Sequence, residues 1–192
     1  MIHIQTLPLG ALQANCYVVW GDDPGNVAVI DPGDDAATLQ ALLRGKTVAG
    51  ALITHAHFDH ILGLPALAGA PVYVHALDAA AMTDAHLSCA MYAGSVPRVA
   101  ASHIVQEGDT ISLAGLEFSV LHTPGHTPGG VCYLCENHLF TGDTLFAGGY
   151  GRTDLPGGDW NALRDSLRRL LALPKDLIIH PGHGESCPLG AA

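Results

Sequence analysis

Residues 54–60, Thr-His-Ala-His-Phe-Asp-His, carry three imidazoles and a carboxylate within seven positions. They follow the apolar Ala51-Leu52-Ile53, so the cluster emerges from the end of a buried strand. On an extended backbone His55 and His57, two apart, project to one side, and a turn after Phe58 can bring Asp59 and His60 into the same space. Imidazole nitrogen and carboxylate oxygen are the donors that zinc and related ions accept, at about 2.0–2.2 Å. One histidine at a strand end is an ordinary hydrogen-bonded residue; three beside an aspartate point to a metal site. Polar residues next to glycine recur further on, in LHTPGHTPGG (121–130), LFTGDTLF (139–146, containing Asp143) and IIHPGHGE (178–185, containing His180 and His183). Sites assembled from loops at strand ends are common in enzymes. Spacing does not choose between His122 and His126, which flank the same Thr-Pro-Gly turn. No Gly-x-Ser-x-Gly elbow occurs, so the chemistry need not rest on a serine nucleophile.

These residues must be positioned by short strands, which the apolar runs between Gly, Pro and Asp turns predict at 2–7, 15–20, 26–30, 48–54, 72–75, 117–121, 131–134, 138–141 and 177–180. Helices are predicted at 35–44, with Leu39, Leu42 and Leu43 inward, and at 159–171, capped by Asp159, with Leu163, Leu167, Leu170 and Leu171 inward. A third helix is expected to start near Leu64, where Pro65 suits a first turn, leaving 59–63 as a loop. Residues 76–102 read as a helix and a loop. Early strands followed by alternating strands and helices suggest an α/β sandwich with helices covering the sheets.

Composition narrows the possible functions. At 192 residues the chain has the size of one domain with a sizeable core. A formal charge of −10, with only eight Lys and Arg, argues against a nucleic-acid partner. No apolar run reaches the roughly 18 residues of a membrane span, and the N-terminus lacks the pattern of a secretory signal, so a cytoplasmic location away from membranes is expected. The five cysteines do not suggest a disulfide framework. Cys132 and Cys135 lie three apart on a strand, hence on opposite faces, and read as buried thiols. His3, His75, His86, His103 and His138 fall in no motif and read as ordinary histidines. Oligomeric state is not readable.

Taken together, the five motif blocks resemble the metallo-β-lactamase-fold hydrolases, specifically the glyoxalase II-like thioesterases and their small single-domain bacterial relatives. The resemblance runs from about residue 2 to the end of the sequence, with the blocks in the family's order. It implies a four-layered αββα sandwich with a dinuclear metal site between sheet edges. It further implies His55, His57 and His126 as ligands of a first metal, Asp59, His60 and His183 of a second, and Asp143 as the bridging carboxylate. In the family the ligand follows the Pro-Gly pair, which selects His126 and leaves His122, like His180, as a supporting or packing residue. Two divalent ions are expected, zinc first, with iron or manganese as alternatives. The implied activity is cleavage of a small-molecule thioester, such as a hydroxyacyl-glutathione, by a metal-bridging hydroxide that Asp59 orients as catalytic residue.

Departures from the family shape the expectation. The sequence ends shortly after Gly184, so residues 1–192 are expected to form one domain without the helical C-terminal domain of full-length glyoxalase II. Asp154 and Glu185 replace tyrosines that contact glutathione there. Arg152 falls where the family has a substrate-binding lysine, and is expected either to contact an anionic part of the substrate or to pair with Asp154. Persulfide dioxygenases share the fold, the His-x-His-x-Asp-His block and a Gly-Arg-Thr-Asp segment, and hold one iron; here His55, His126 and Asp143 would supply that facial triad. A non-catalytic metal-binding domain is the third possibility.

Overall fold

The computed structural model describes residues 1–67, 69–94 and 99–192. Two six-stranded sheets face each other. The first joins β1 (His3–Leu9), β2 (Ala14–Trp20), β3 (Asn26–Ile30), β4 (Thr47–Leu52), β5 (Val72–His75) and β6 (His103–Val105) in that order. Its first three strands are antiparallel neighbours; β3 to β6 run parallel, with α1 (Ala36–Leu43) crossing between β3 and β4. A one-turn helix, α2 (Phe58–Ile61), follows β4. The second sheet contains β7 (Thr110–Leu113), β8 (Leu116–His122), β9 (Val131–Cys135), β10 (His138–Gly142), β13 (Ile178–Pro181) and β14 (Cys187–Pro188), in the spatial order β14-β13-β10-β9-β8-β7. Helix α3 (Trp160–Leu171) makes the crossover from β10 to the parallel β13, and β11 (Leu145–Phe146) with β12 (Gly149–Tyr150) forms a small hairpin beside it.

Alternation along the strands creates three apolar layers. In β2, Tyr17 and Val19 join Phe118, Val120, Tyr133 and Phe140 of the second sheet in the inter-sheet core. Cys16 and Val18 point the other way, to Leu39 and Leu43 of α1. Cys132, Leu139 and Ile179 pack with Leu170 of α3 on the outer face of the second sheet. The result is the expected αββα order of layers. Cys132 and Cys135 lie on opposite faces of β9, and the five cysteines are free thiols. Among the described residues no helix is long and apolar enough to cross a membrane.

Several expectations need correction. Residues 58–61 form a helical turn, not loop: His60 N–H donates to His57 O at 3.0 Å and Leu62 N–H to Phe58 O at 3.0 Å. The segment at Leu64 is a single 3-10 turn, Leu64–Leu67, rather than a longer helix. Leu171 is 39% exposed because, eight residues after Leu163, it has rotated about 80° off the buried stripe of α3. Among the described residues, 76–102 contain turns and 3-10 turns at Ala81–Thr83 and Ala90–Tyr92 but no α-helix. Strands β6, β7, β11, β12 and β14, two to four residues each, were not expected; most are too short to show a period.

The irregular 76–102 region holds a structural anchor. Asp78, 2% exposed, accepts from Ala56 N–H at 3.0 Å, Thr127 Oγ1–H at 2.8 Å and Gly129 N–H at 2.7 Å, tying the 54–60 segment to the 121–130 segment. Removing a buried charged acceptor orphans its donors, at about 1–3 kcal/mol each. Asp78→Ala should therefore cost about 3 kcal/mol or more in urea unfolding of the metal-free protein. Asp78→Asn, which keeps the shape and one acceptor oxygen, should cost clearly less.

Candidate metal centre

The site forms where β4 leaves the first sheet beside β9 and β10 of the second. Thr54 O accepts from Val131 N–H at 2.8 Å and Ile53 O from the Tyr133 hydroxyl at 2.9 Å, so the strand exit is fastened across the two sheets. Gly142, at φ +48°, lies against the Thr54 side chain, where a Cβ would overlap it. This close approach brings Asp143 under the histidines. His57 is on extended backbone, its ring 4.8 Å from that of His55, and the α2 turn that follows carries Asp59 and His60.

Hydrogen bonds at the far nitrogen fix which atom most of these imidazoles offer. His60 Nδ1–H donates to Asp31 Oδ2 at 3.0 Å. Thr54 Oγ1 donates to the same oxygen at 2.6 Å and accepts from His55 Nδ1 at 3.1 Å. His126 Nδ1–H donates to Arg152 O at 2.7 Å, and His183 Nδ1–H to Leu12 O at 3.1 Å. Each of the four is thereby held in the tautomer whose Nε2 carries the lone pair. His57 is reversed: its Nδ1 stands 2.9 Å from His126 Nε2.

The donor atoms collect into two groups, His55, His57 and His126 in one and Asp59, His60 and His183 in the other. Asp143 lies between them, with Oδ1 3.5 Å from His60 Nε2, and Oδ2 3.5 Å from His126 Nε2 and 3.6 Å from His183 Nε2. Within the second group Asp59 Oδ2 is 3.3 Å from His183 Nε2 and 3.6 Å from His60 Nε2. Direct hydrogen bonds of this kind run at about 2.7–3.2 Å. Donors sharing a tetrahedral ion at about 2.0–2.2 Å stand about 3.3–3.6 Å apart, which is the spacing around Asp143 and within the second group. His55 Nε2, His60 Nε2 and Asp143 Oδ1, all facing the donor groups, are buried without a hydrogen-bond partner. Buried polar atoms are normally satisfied, so the donor set fits bound cations. Asp31, His55 and His60 form a third close group, but the Asp31 oxygens already accept from Thr54 and His60, which makes it a buttress.

Electrostatics agree with a cation site. Burial opposes a charge on His60, yet Asp59, Asp143 and Asp31 outweigh it and push its pKa up to about 10. Burial also works against the Asp59 charge, but His60 and His183 hold its carboxyl well below the usual range. Burial, followed by the neighbouring imidazoles, depresses His55 strongly and brings His57 down to about 3, leaving both neutral and able to donate lone pairs. A proton and a metal ion therefore compete for this pocket of carboxylates and imidazoles.

Three other candidates lie apart from the two groups. His122 stacks on His75 with centroids 4.1 Å apart and bonds to Pro128 O at 3.0 Å. His180 bridges His138 Nδ1 at 2.8 Å and Ser186 Oγ at 2.9 Å, and burial brings its pKa down to about 4. Arg152 forms a two-pronged pair with Asp154, Nε to Oδ1 and Nη2 to Oδ2 both at 2.6 Å. Sequence reasoning missed Asp31, Asp78 and the carbonyls of Leu12 and Arg152. Only Asp31 leaves a trace, as a carboxylate closing the apolar strand Asn26–Ile30 just before Pro32-Gly33. The site opens into a cleft of about 950 Å³, walled by Leu9, Leu12, Phe58, Leu62, Tyr92 and Leu155, with Arg152 and His183 at its sides.

Comparison with known proteins agrees with this geometry. Residues 9–183 match the family model described as the metallo-beta-lactamase superfamily. The hydroxyacylglutathione hydrolase GloC of Haemophilus influenzae is 35% identical over 98% of this chain and 94% of its own. The crystal structure of the BLEG-1 B3 metallo-beta-lactamase superposes with a TM-score of 0.93 at 36% identity, covering 98% of this chain and 95% of that one. TTHA1623, solved in a di-iron-bound form, gives a TM-score of 0.84 at 39% identity over 97% and 96% of the two chains. With the fold, the donor set and these relatives in agreement, the chain belongs to the metallo-β-lactamase superfamily.

Proposed function

We propose that this protein is a two-metal hydrolase of thioesters, hydroxyacyl-glutathione or a related compound. The observation that carries the reading is Asp143, whose two oxygens reach both donor groups and so suit a carboxylate shared by two ions. His55, His57 and His126 would hold one ion, Asp59, His60 and His183 the other. Ions bound there supply a water of lowered pKa and polarise the scissile carbonyl. Asp59, kept ionised by His60 and His183, is placed to accept a hydrogen bond from the attacking water and so to orient it. The thiolate leaving group is a weak base and needs no dedicated general acid. The apolar cleft walls are placed to align the limb beyond the carbonyl. GloC, a relative in name a hydroxyacylglutathione hydrolase, supports the substrate class.

A mononuclear iron oxygenase would use His55, His126 and Asp143 alone and leave Asp59, His60 and His183 without a task. The similarity to BLEG-1 favours a β-lactam amide as a second substrate reading, to be assayed alongside. Metal analysis of the purified protein should find about two ions per chain, with zinc expected ahead of iron or manganese. Chelation should abolish thioester cleavage and zinc should restore it. One iron per chain with oxygen uptake on a glutathione persulfide would overturn the hydrolase reading, and cleavage of a β-lactam in preference to thioesters would overturn the substrate class.

Substitutions separate ligands from their supports. His126→Ala should lose one ion and nearly all activity, whereas His122→Ala, which touches neither donor group, should keep both ions and lose less than about tenfold. Asp31→Ala removes the partner of His60 and of the Thr54 hydroxyl. It should weaken metal affinity about 10- to 100-fold, measured by competition with a chromophoric chelator.

A further inference from the structure

We propose that the cleft selects thioesters whose limb beside the Arg152 loop is apolar and uncharged, and that Asp154 sets this preference by occupying the Arg152 guanidinium. The inference rests on the hydrolase reading above and narrows it, within thioesters, away from a limb that carries carboxylates, as glutathione does, and toward related compounds with an uncharged one.

Arg152 is the only lysine or arginine among the described residues lining the cleft, so outside the donor groups it is the described wall side chain suited to pair with a substrate anion. Its fork is already filled by two parallel 2.6 Å bonds to Asp154, the geometry in which guanidinium and carboxylate match best. Because Asp154 stands two residues along the same loop, it competes as an intramolecular ligand, with an effective concentration of about millimolar or above. A substrate carboxylate in free solution must displace it. The other charged wall residue outside the donor groups, Asp34, is itself an anion, and the whole chain carries a formal −10. Among the described wall residues, an anionic limb therefore meets no unpaired lysine or arginine.

The remaining wall favours the opposite chemistry. Leu12 and Tyr92 stand 54% and 76% exposed at the mouth, and Leu9, Phe58, Leu62 and Leu155 continue the apolar surface inward. Each methylene that an acyl limb lays on such a surface improves transfer from water by a factor of about four.

The test compares two thioesters of one neutral thiol, a hexanoyl ester and the same chain ending in a carboxylate. The zinc-loaded wild type should favour the neutral ester at least about tenfold in kcat/KM. Asp154→Asn and Asp154→Ser, which free the guanidinium, should move that ratio about tenfold toward the anionic ester. Asp165→Asn makes the same change in net charge on the exposed face of α3 and should leave the ratio where it was. Calorimetry with the matching non-hydrolysable thioethers on metal-free protein should show the same displacement by the Asp154 variants. A wild type that prefers the anionic ester, or Asp154 variants whose ratios stay at the wild-type value in both measurements, overturns the proposal. If no thioester is cleaved, the hydrolase reading fails, and the thioether binding ratios alone then decide the role of Asp154.

Discussion

Seven donor side chains converge on one point at the sheet junction, and the fold must hold them there against their own chemistry. Four imidazoles, His55, His57, His60 and His126, are at least 96% buried; the other three rings lie 4.2 to 4.8 Å from that of His55, and His57 and His126 are 4.6 Å apart. Carboxylates 3.5–3.6 Å from their nitrogens are too far for good hydrogen bonds and too near for indifference. Such a cluster is unfavourable until cations fill it, so metal affinity and folding are linked through the same residues. Stability given up in building the centre must come from the three apolar layers around it.

The supporting shell shows how the geometry is enforced. A single buried carboxylate, Asp31, accepts from Thr54 N–H, Thr54 Oγ1–H and His60 Nδ1–H, and through the Thr54 hydroxyl it also fixes His55. Asp78 performs the equivalent task for the backbone, joining Ala56, between two donors, to Thr127 and Gly129 beside His126. Two buttressing aspartates thus position six of the residues around the centre, five of them directly and His55 through Thr54. An imidazole with one nitrogen pinned loses little freedom on binding an ion with the other.

Much of this was legible in the sequence where one chemical signal repeats. Strands such as Asn26–Ile30 and Val72–His75 are found where apolar runs meet turn residues, and the layered order follows from their alternation. The donor residues are legible because histidine and aspartate are costly to bury unless they are used. The helical turn at 58–61 was not, since four residues carry no helical period, and tertiary bonds such as Gly63 N–H to Pro32 O set its course. Asp78 was hidden because its three donors come from segments 22 to 51 positions away. Carbonyl partners were hidden more deeply, because any residue at 12 or 152 supplies the same C=O.

That last point separates two classes of support. His55 and His60 are braced by the side chain of Asp31 at the sheet base, inside the core. His126 and His183 are braced by the carbonyls of Arg152 and Leu12, on loops that also form the cleft wall. Gly151 lies so close to Asp143 O and His126 Nδ1 that a Cβ there would overlap, which ties the position of the Arg152 loop to the donors themselves. A loop that shifts to meet a different substrate therefore moves the brace of an imidazole in the proposed metal centre as well. In the proposed two-metal hydrolase, affinity for substrate and affinity for metal would consequently be coupled on the cleft side, and by linkage the coupling would run equally in both directions. The base of the site is free of that coupling, which leaves rim-side sequence changes able to tune specificity only within the range that His126 and His183 tolerate.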